Sequence, residues 1–368
     1  MNELEAKFEY PSNASNPDLF GHISAENDLL RAFHSDRLHH AWLISGARGV
    51  GKATLAFRFA RFILANDKAQ KGLFADAPVS LDCISSLGIP LEHPVFQRVA
   101  AGGHADLLVV ERSKNDRGSL RSEIVINDIR KAQHFLHMTA GEGEWRIVIV
   151  DSADEMNTNA ANALLKLLEE PPPKALLLII SHNPDCLLPT IRSRCQKLRL
   201  QPLSIPNIFD WLSINAPNSE SADFEATCVI AEGSIGRAAQ LLKLDGARIL
   251  TDIIKLLENV PNIDSVDLHN FATRCAQKKD EGIFNLSSEL IRWELSRIIK
   301  YLSGVNLVNL IPGEQLLFKK IANISSLENW LEVWENVDDL LSSVAQANLD
   351  RKHVILNTFA FVSKSANV

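Results

Sequence analysis

The eight residues Gly46-Ala47-Arg48-Gly49-Val50-Gly51-Lys52-Ala53 limit what this chain can fold into more than any other stretch. An apolar run, AWLIS, precedes them, and a helical pattern, ATLAFRFARFILA, follows. A strand, a glycine-rich turn and a helix in that order make a phosphate-binding loop. Glycines at 46, 49 and 51 let the backbone wrap tightly, so that its N–H groups converge on phosphate oxygens. The start of the helix adds the positive end of its dipole, and Lys52 adds a point charge for the outer phosphates.

Such a loop belongs in a parallel α/β sheet, and the first ~200 residues have that rhythm. Strands are expected at Ala41–Ser45, Leu107–Val110, Ile147–Asp151, Leu176–Ser181 and Lys197–Leu200. The near-continuous apolar runs RIVIV and ALLLII suit strands covered on both faces. A helix from about Thr158 to Glu170 stops at Pro171-Pro172-Pro173, which cannot donate the next hydrogen bonds. Another, IRKAQHFL, is expected to start at Asn127 or Asp128 as its cap. Ser113–Glu123 reads as a surface loop or hairpin. Beyond Pro202 strand signals vanish, and amphipathic stretches such as IFNLSSELIRWELSRIIKYL and LENWLEVWENVDDLLSSVAQANL predict helices. The expected architecture is an α/β P-loop domain with a five-stranded parallel sheet over residues 1–202. A small helical domain over 203–243 and an all-α domain over 244–368 follow.

Composition removes several classes. A net charge of −7 argues against a protein that coats nucleic acid by bulk electrostatics. Cys83, Cys186, Cys195, Cys228 and Cys275 are scattered without a CxxC pair, which suits reduced thiols better than disulfides or zinc. No apolar leader core and no run of about 18 apolar residues is present, so no membrane partner is expected and a cytoplasmic location is.

The loop departs from its pattern at one position. The residue after the lysine normally carries a hydroxyl that holds magnesium, and here it is Ala53. Thr54 comes next, but one helical step turns its side chain by roughly 100°. Nucleotide binding is therefore expected to be weak, poorly magnesium-dependent or absent. Arg146–Asp151 has the form of the second acidic strand of such sites, apolar residues ending in Asp151. Ser152 stands where an active ATPase has its catalytic Glu, and Asp154 and Glu155 are expected to aim elsewhere. Both losses argue against hydrolysis by this chain.

The stretch AANALLKLLEEPPPKALLLIISHNPDCLLPTIRSRCQKLRL resembles the clamp-loader branch of the AAA+ ATPases, through NALLKLLEEPP and the Ser193-Arg194-Cys195 tripeptide. GHISAENDLLRAFHSDRLHHAWLISG, EGSIGRAAQLL and NLDRKHVILNTF extend the likeness to the amino-terminal, lid and collar regions of that family. The resemblance implies that 203–243 is a lid and 244–368 a collar. It implies that Arg194 reaches the ATP of a neighbouring subunit, where a guanidinium supplied in trans stabilises the transferring phosphoryl group. Cys195 reads as a buried apolar residue. Asn183 occupies the sensor 1 position, where it either senses a γ-phosphate or caps the next turn. Arg237 lies where sensor 2 would be, or is a solvated helix charge. Lys174 and Arg192 are weak candidates for DNA phosphate. Members of the family carry a four-cysteine zinc module between the loop and the acidic strand; that interval here holds Cys83 as its sole cysteine, so no zinc is expected and His93 and His104 read as loop residues.

The degenerate loop resembles the family's non-motor subunits. The resemblance then implies a hetero-pentamer with gamma/tau and delta subunits, a sliding clamp as target, and primed DNA met through the assembled complex. The chain would be a component of a DNA-directed DNA polymerase, a nucleotidyltransferase, without a polymerase site of its own. Two other readings remain: an ATP-hydrolysing gamma/tau-type motor subunit, and a stand-alone P-loop switch.

Overall fold

A computed structural model describes residues 11–35, 38–67, 86–114, 118, 120–216, 221–277, 281–307, 310, 313–347 and 349–365. The chain divides into two compact units, one of Tyr10–Trp211 with Glu232–Arg237, the other of Leu212–Ala231 with Ala238–Val368.

The first unit is built on a parallel sheet of order β2-β3-β4-β1-β5. Its strands are β1 (Ala41–Ser45), β2 (Leu107–Val110), β3 (Arg146–Val150), β4 (Ala175–Ser181) and β5 (Gln196–Arg199). Every residue of β1, β3 and β4 is buried. Their side chains alternate between two cores, as the strand period of two requires. Trp42, Ile44, Ile147, Ile149, Leu176, Leu178 and Ile180 enter one core. Leu43, Val148, Val150, Leu177 and Ile179 enter the other. Each aliphatic side chain so buried contributes about 1.5–3 kcal/mol, which explains why the apolar runs are unbroken.

Helices α1 (Ile23–His34), α2 (Lys52–Ala65) and α3 (Pro94–Ala100) pack on the first core; α4 (Ile126–His137), α5 (Thr158–Glu169) and α6 (Pro189–Ser193) pack on the second. The start of α4 differs from expectation. Val125 is the residue before its first turn, and Asp128 sits inside that turn, its carboxylate accepting from the Val125 N–H at 3.3 Å. An acid at either place satisfies an end-of-helix donor, so the local pattern fits both. An isolated antiparallel bridge joins Lys114 to Leu120 within the Ser113–Glu123 stretch, of which residues 115–117 and 119 lie outside the described residues.

α7 (Ile205–Asn215) runs from the first unit into the second, and α9 (Ile235–Lys243) does likewise. The second unit continues with α8 (Ser221–Ile230), α10 (Gly246–Glu258), α11 (Ser265–Cys275), α12 (Glu281–Leu302), α13 (Glu314–Ile324), α14 (Leu327–Ala347) and α15 (Arg351–Ser365). Among the described residues it is all helical. Buried stripes such as Leu250, Ile253 and Leu257 of α10 or Leu286, Leu290 and Ile298 of α12 form its core. Among the described residues, no helix is long and apolar enough to cross a membrane.

Candidate nucleotide site and the arginine after α6

Parallel pairing brings the carboxyl ends of β1, β3 and β4 side by side, with Ser45 opposite Ser181 and Val150 opposite Ile179. Open α/β sheets bind ligands at this edge. The glycine-rich loop leaves β1 here and enters α2 at Lys52.

The loop's carbonyls are all turned toward protein donors. Lys52 Nζ donates to Gly46 O at 2.7 Å and Ala47 O at 2.6 Å. The Ser234 hydroxyl donates to Arg48 O at 2.9 Å, and the Gly236 N–H to Gly49 O at 2.9 Å. The His22 Nε2 lies 2.8 Å from Val50 O, and Leu55 N–H donates to Gly51 O. A peptide's N–H points opposite to its C=O, so each of these peptides turns its N–H away from the protein group that holds its carbonyl. Gly49, at φ +74°, also has no room for a side chain: a Cβ would meet Ser234 Oγ at 2.4 Å. The Glu232–Arg237 segment is thus laid directly on the loop, glycine against glycine. This clasp around the expected sensor residue Arg237 has no signature in the sequence, since 186 residues separate Arg48 from Ser234.

Lys52 is buried, and burial pushes its ammonium down to about 8; Asp154 and then Asp151 pull the other way. Ala53 packs its methyl against the first core, and Thr54 is buried. Burial raises the Asp151 carboxyl above the usual carboxylate range, with His182 and Lys52 opposing and Glu111 reinforcing the rise. Ser152 takes up a left-handed conformation at φ 61° and lies 3.1 Å from His182 Nε2. That places a hydroxyl, not a carboxylate, beside Asp151.

Asp154 is a residue whose place the sequence did not reveal. Its carboxylate accepts from the Ser181 hydroxyl at 2.6 Å and from the His182 N–H, tying the end of β3 to the end of β4. Only the β3–β4 pairing brings them together. Glu155 turns away to Arg112 at 2.8 Å. Asn183 Oδ1 accepts from Asp185 N–H at 3.3 Å and so caps the turn. Arg237 pairs with Glu232 at 2.8 Å.

Arg194 stands apart from these residues. It ends α6, donates to Thr190 O at 3.1 Å and pairs with Glu169 at 2.9 Å, with 37 % of its side chain accessible. Cys195 beside it is buried, which pushes its thiol up to about 12. Arg192 pairs with Asp185, and Lys174 with Glu144. His93 caps α3, and buried His104 accepts from Asp106 N–H. Cys83 lies outside the described residues. No cluster of potential metal ligands occurs among the described residues.

Sheet order, glycine-rich loop and acid-ended β3 define an α/β P-loop domain joined to a helical carboxyl-terminal region. The chain belongs to the DNA polymerase III delta-subunit family, whose model, "DNA polymerase III, delta subunit", matches residues 21–204. It is 31% identical to DNA polymerase III subunit delta' of Pseudomonas aeruginosa, over 60% of this chain and 62% of that one. It is 33% identical to the subunit delta' of Bacillus subtilis, over 50% and 49% of the two chains. The DNA polymerase III subunit gamma of Buchnera aphidicola is 23% identical over 87% and 81%. The matches to the two delta' chains therefore span from about half to under two thirds of their lengths.

Proposed function

We propose that this chain is a non-motor subunit of the DNA polymerase III clamp loader. In this reading it joins gamma/tau and delta subunits in a pentamer that places a sliding clamp on primed DNA. Arg194 completes the ATP site of a neighbouring gamma/tau subunit. The observation that carries the reading is the contrast between two sites. The chain's own loop has Ala53 for the magnesium hydroxyl and Ser152 for the catalytic carboxylate, while Arg194 is displayed at the surface beyond α6. A guanidinium supplied in trans lets a subunit without hydrolysis serve its neighbour's chemistry. Residues 203–243 and 244–368 act as lid and collar, and ATP at the chain's own loop is dispensable.

Two measurements test this. Size-exclusion chromatography with gamma/tau and delta subunits is expected to give a joint peak; a monomer that ignores them favours the stand-alone switch. The purified chain is expected to hydrolyse no ATP; turnover by itself favours the motor reading.

A further inference from the structure

Glu169 is the last residue of α5, followed by Glu170 at the helix end and then by prolines. A carboxylate there faces the negative end of the helix dipole, which disfavours it. Helix stability therefore does not account for its placement; its partner does. Its Oε1 lies 2.9 Å from Arg194 Nη2, while Arg194 Nη1 donates to Thr190 O at 3.1 Å. Two of the five guanidinium donors are thus held from two directions.

The supports on both sides are fixed. Leu167 and Leu168 of α5, Ile191 of α6 and Cys195 share one core, each nine-tenths or more buried. The neighbouring Arg192 is drawn to a different acid, Asp185. A free arginine on a surface samples many rotamers and loses that freedom when it docks. A carboxylate that selects one orientation beforehand reduces this loss.

We propose that Glu169 is the positioning residue of Arg194, holding its guanidinium in one orientation for a phosphoryl oxygen presented by another chain. This rests on the function proposed above and adds a residue to it. Glu169 does not touch the nucleotide; it acts through Arg194.

The test is ATP turnover by the loader reconstituted with gamma/tau, delta, clamp and primed DNA. The chain is supplied as wild type, R194A, E169A, E169Q and the double variant R194A/E169A. The pair is half exposed, so E169A is expected to slow the site that Arg194 serves by about two- to fivefold, a fraction of the loss R194A causes, with KM for ATP unchanged. E169Q, which keeps an acceptor oxygen, falls less. E169A causes no further loss in the R194A background, and its melting temperature matches wild type. If R194A is impaired but E169A turns over at or above the wild-type rate, the positioning role is overturned and the function stands. The same holds if E169A costs as much without Arg194 as with it. An unimpaired R194A overturns the function and the positioning role together.

Discussion

A lysine bound to the Gly46 and Ala47 carbonyls must release both before it can reach a phosphate. Lys52 is also costly to keep charged, because burial has brought its ammonium down to about 8. An ATP phosphate would repay that cost, and magnesium would normally help by binding a hydroxyl at the next position. Ala53 offers a methyl group instead. Isothermal titration of the purified chain with ATP, with and without magnesium, is expected to give affinities within about threefold of each other. A gain of about tenfold or more with magnesium, near 1.4 kcal/mol, would show that another residue has taken over the metal. Thr54 would be the first suspect, though it is buried in α2.

Between elements, the helical unit holds a buried carboxylate pair that shares one arginine. Glu294 of α12 and Glu314 of α13 are both fully buried and share Arg297. Arg297 Nε binds Glu314 at 2.8 Å but stays 3.9 Å from Glu294. Burial, then the Glu314 charge, push the Glu294 carboxyl up to about 8, against the pull of Arg297. Its folded-state affinity for a proton therefore exceeds that of the unfolded chain. The stability this gives is full below the ordinary value of 4.5 and is lost as pH rises through about 8. The loss is on the order of a few kcal/mol. Thermal melts of wild type from pH 5 to pH 9 are expected to decline, while E294Q, which mimics the protonated acid, declines much less. Parallel declines would show that Glu294 is ionised throughout.

The elements themselves were legible to different depths. β1, β3 and β4 could be read from sequence because both faces are buried, which leaves an unbroken apolar run. α5 was legible because prolines end it. The start of α4 was not, because Asp128 satisfies a donor equally well as a cap or three residues in. Within the site, glycines 46, 49 and 51, Lys52 and Asp151 announce themselves by spacing along the chain. His22, Asp154 and Ser234 do not, since each acts on a partner that only strand order or the return of the chain at Glu232–Arg237 brings near.

For the molecule as a whole, a phosphate loop that has lost its metal and water-activating groups is still fully braced, with every carbonyl from Gly46 to Gly51 taken by a protein donor. In the proposed function that loop is architectural and the chemistry belongs to Arg194, with DNA met through the assembled complex, as a net charge of −7 suits. The most direct test is ATP turnover by the reconstituted loader, with clamp and primed DNA, comparing wild type with R194A. The single site served by Arg194 is expected to slow by roughly 10³-fold or more, so that the loader loses that site's share of turnover while eluting as an intact complex. Turnover equal to wild type would contradict it, leaving Arg194 as a surface partner of Glu169 and nothing more.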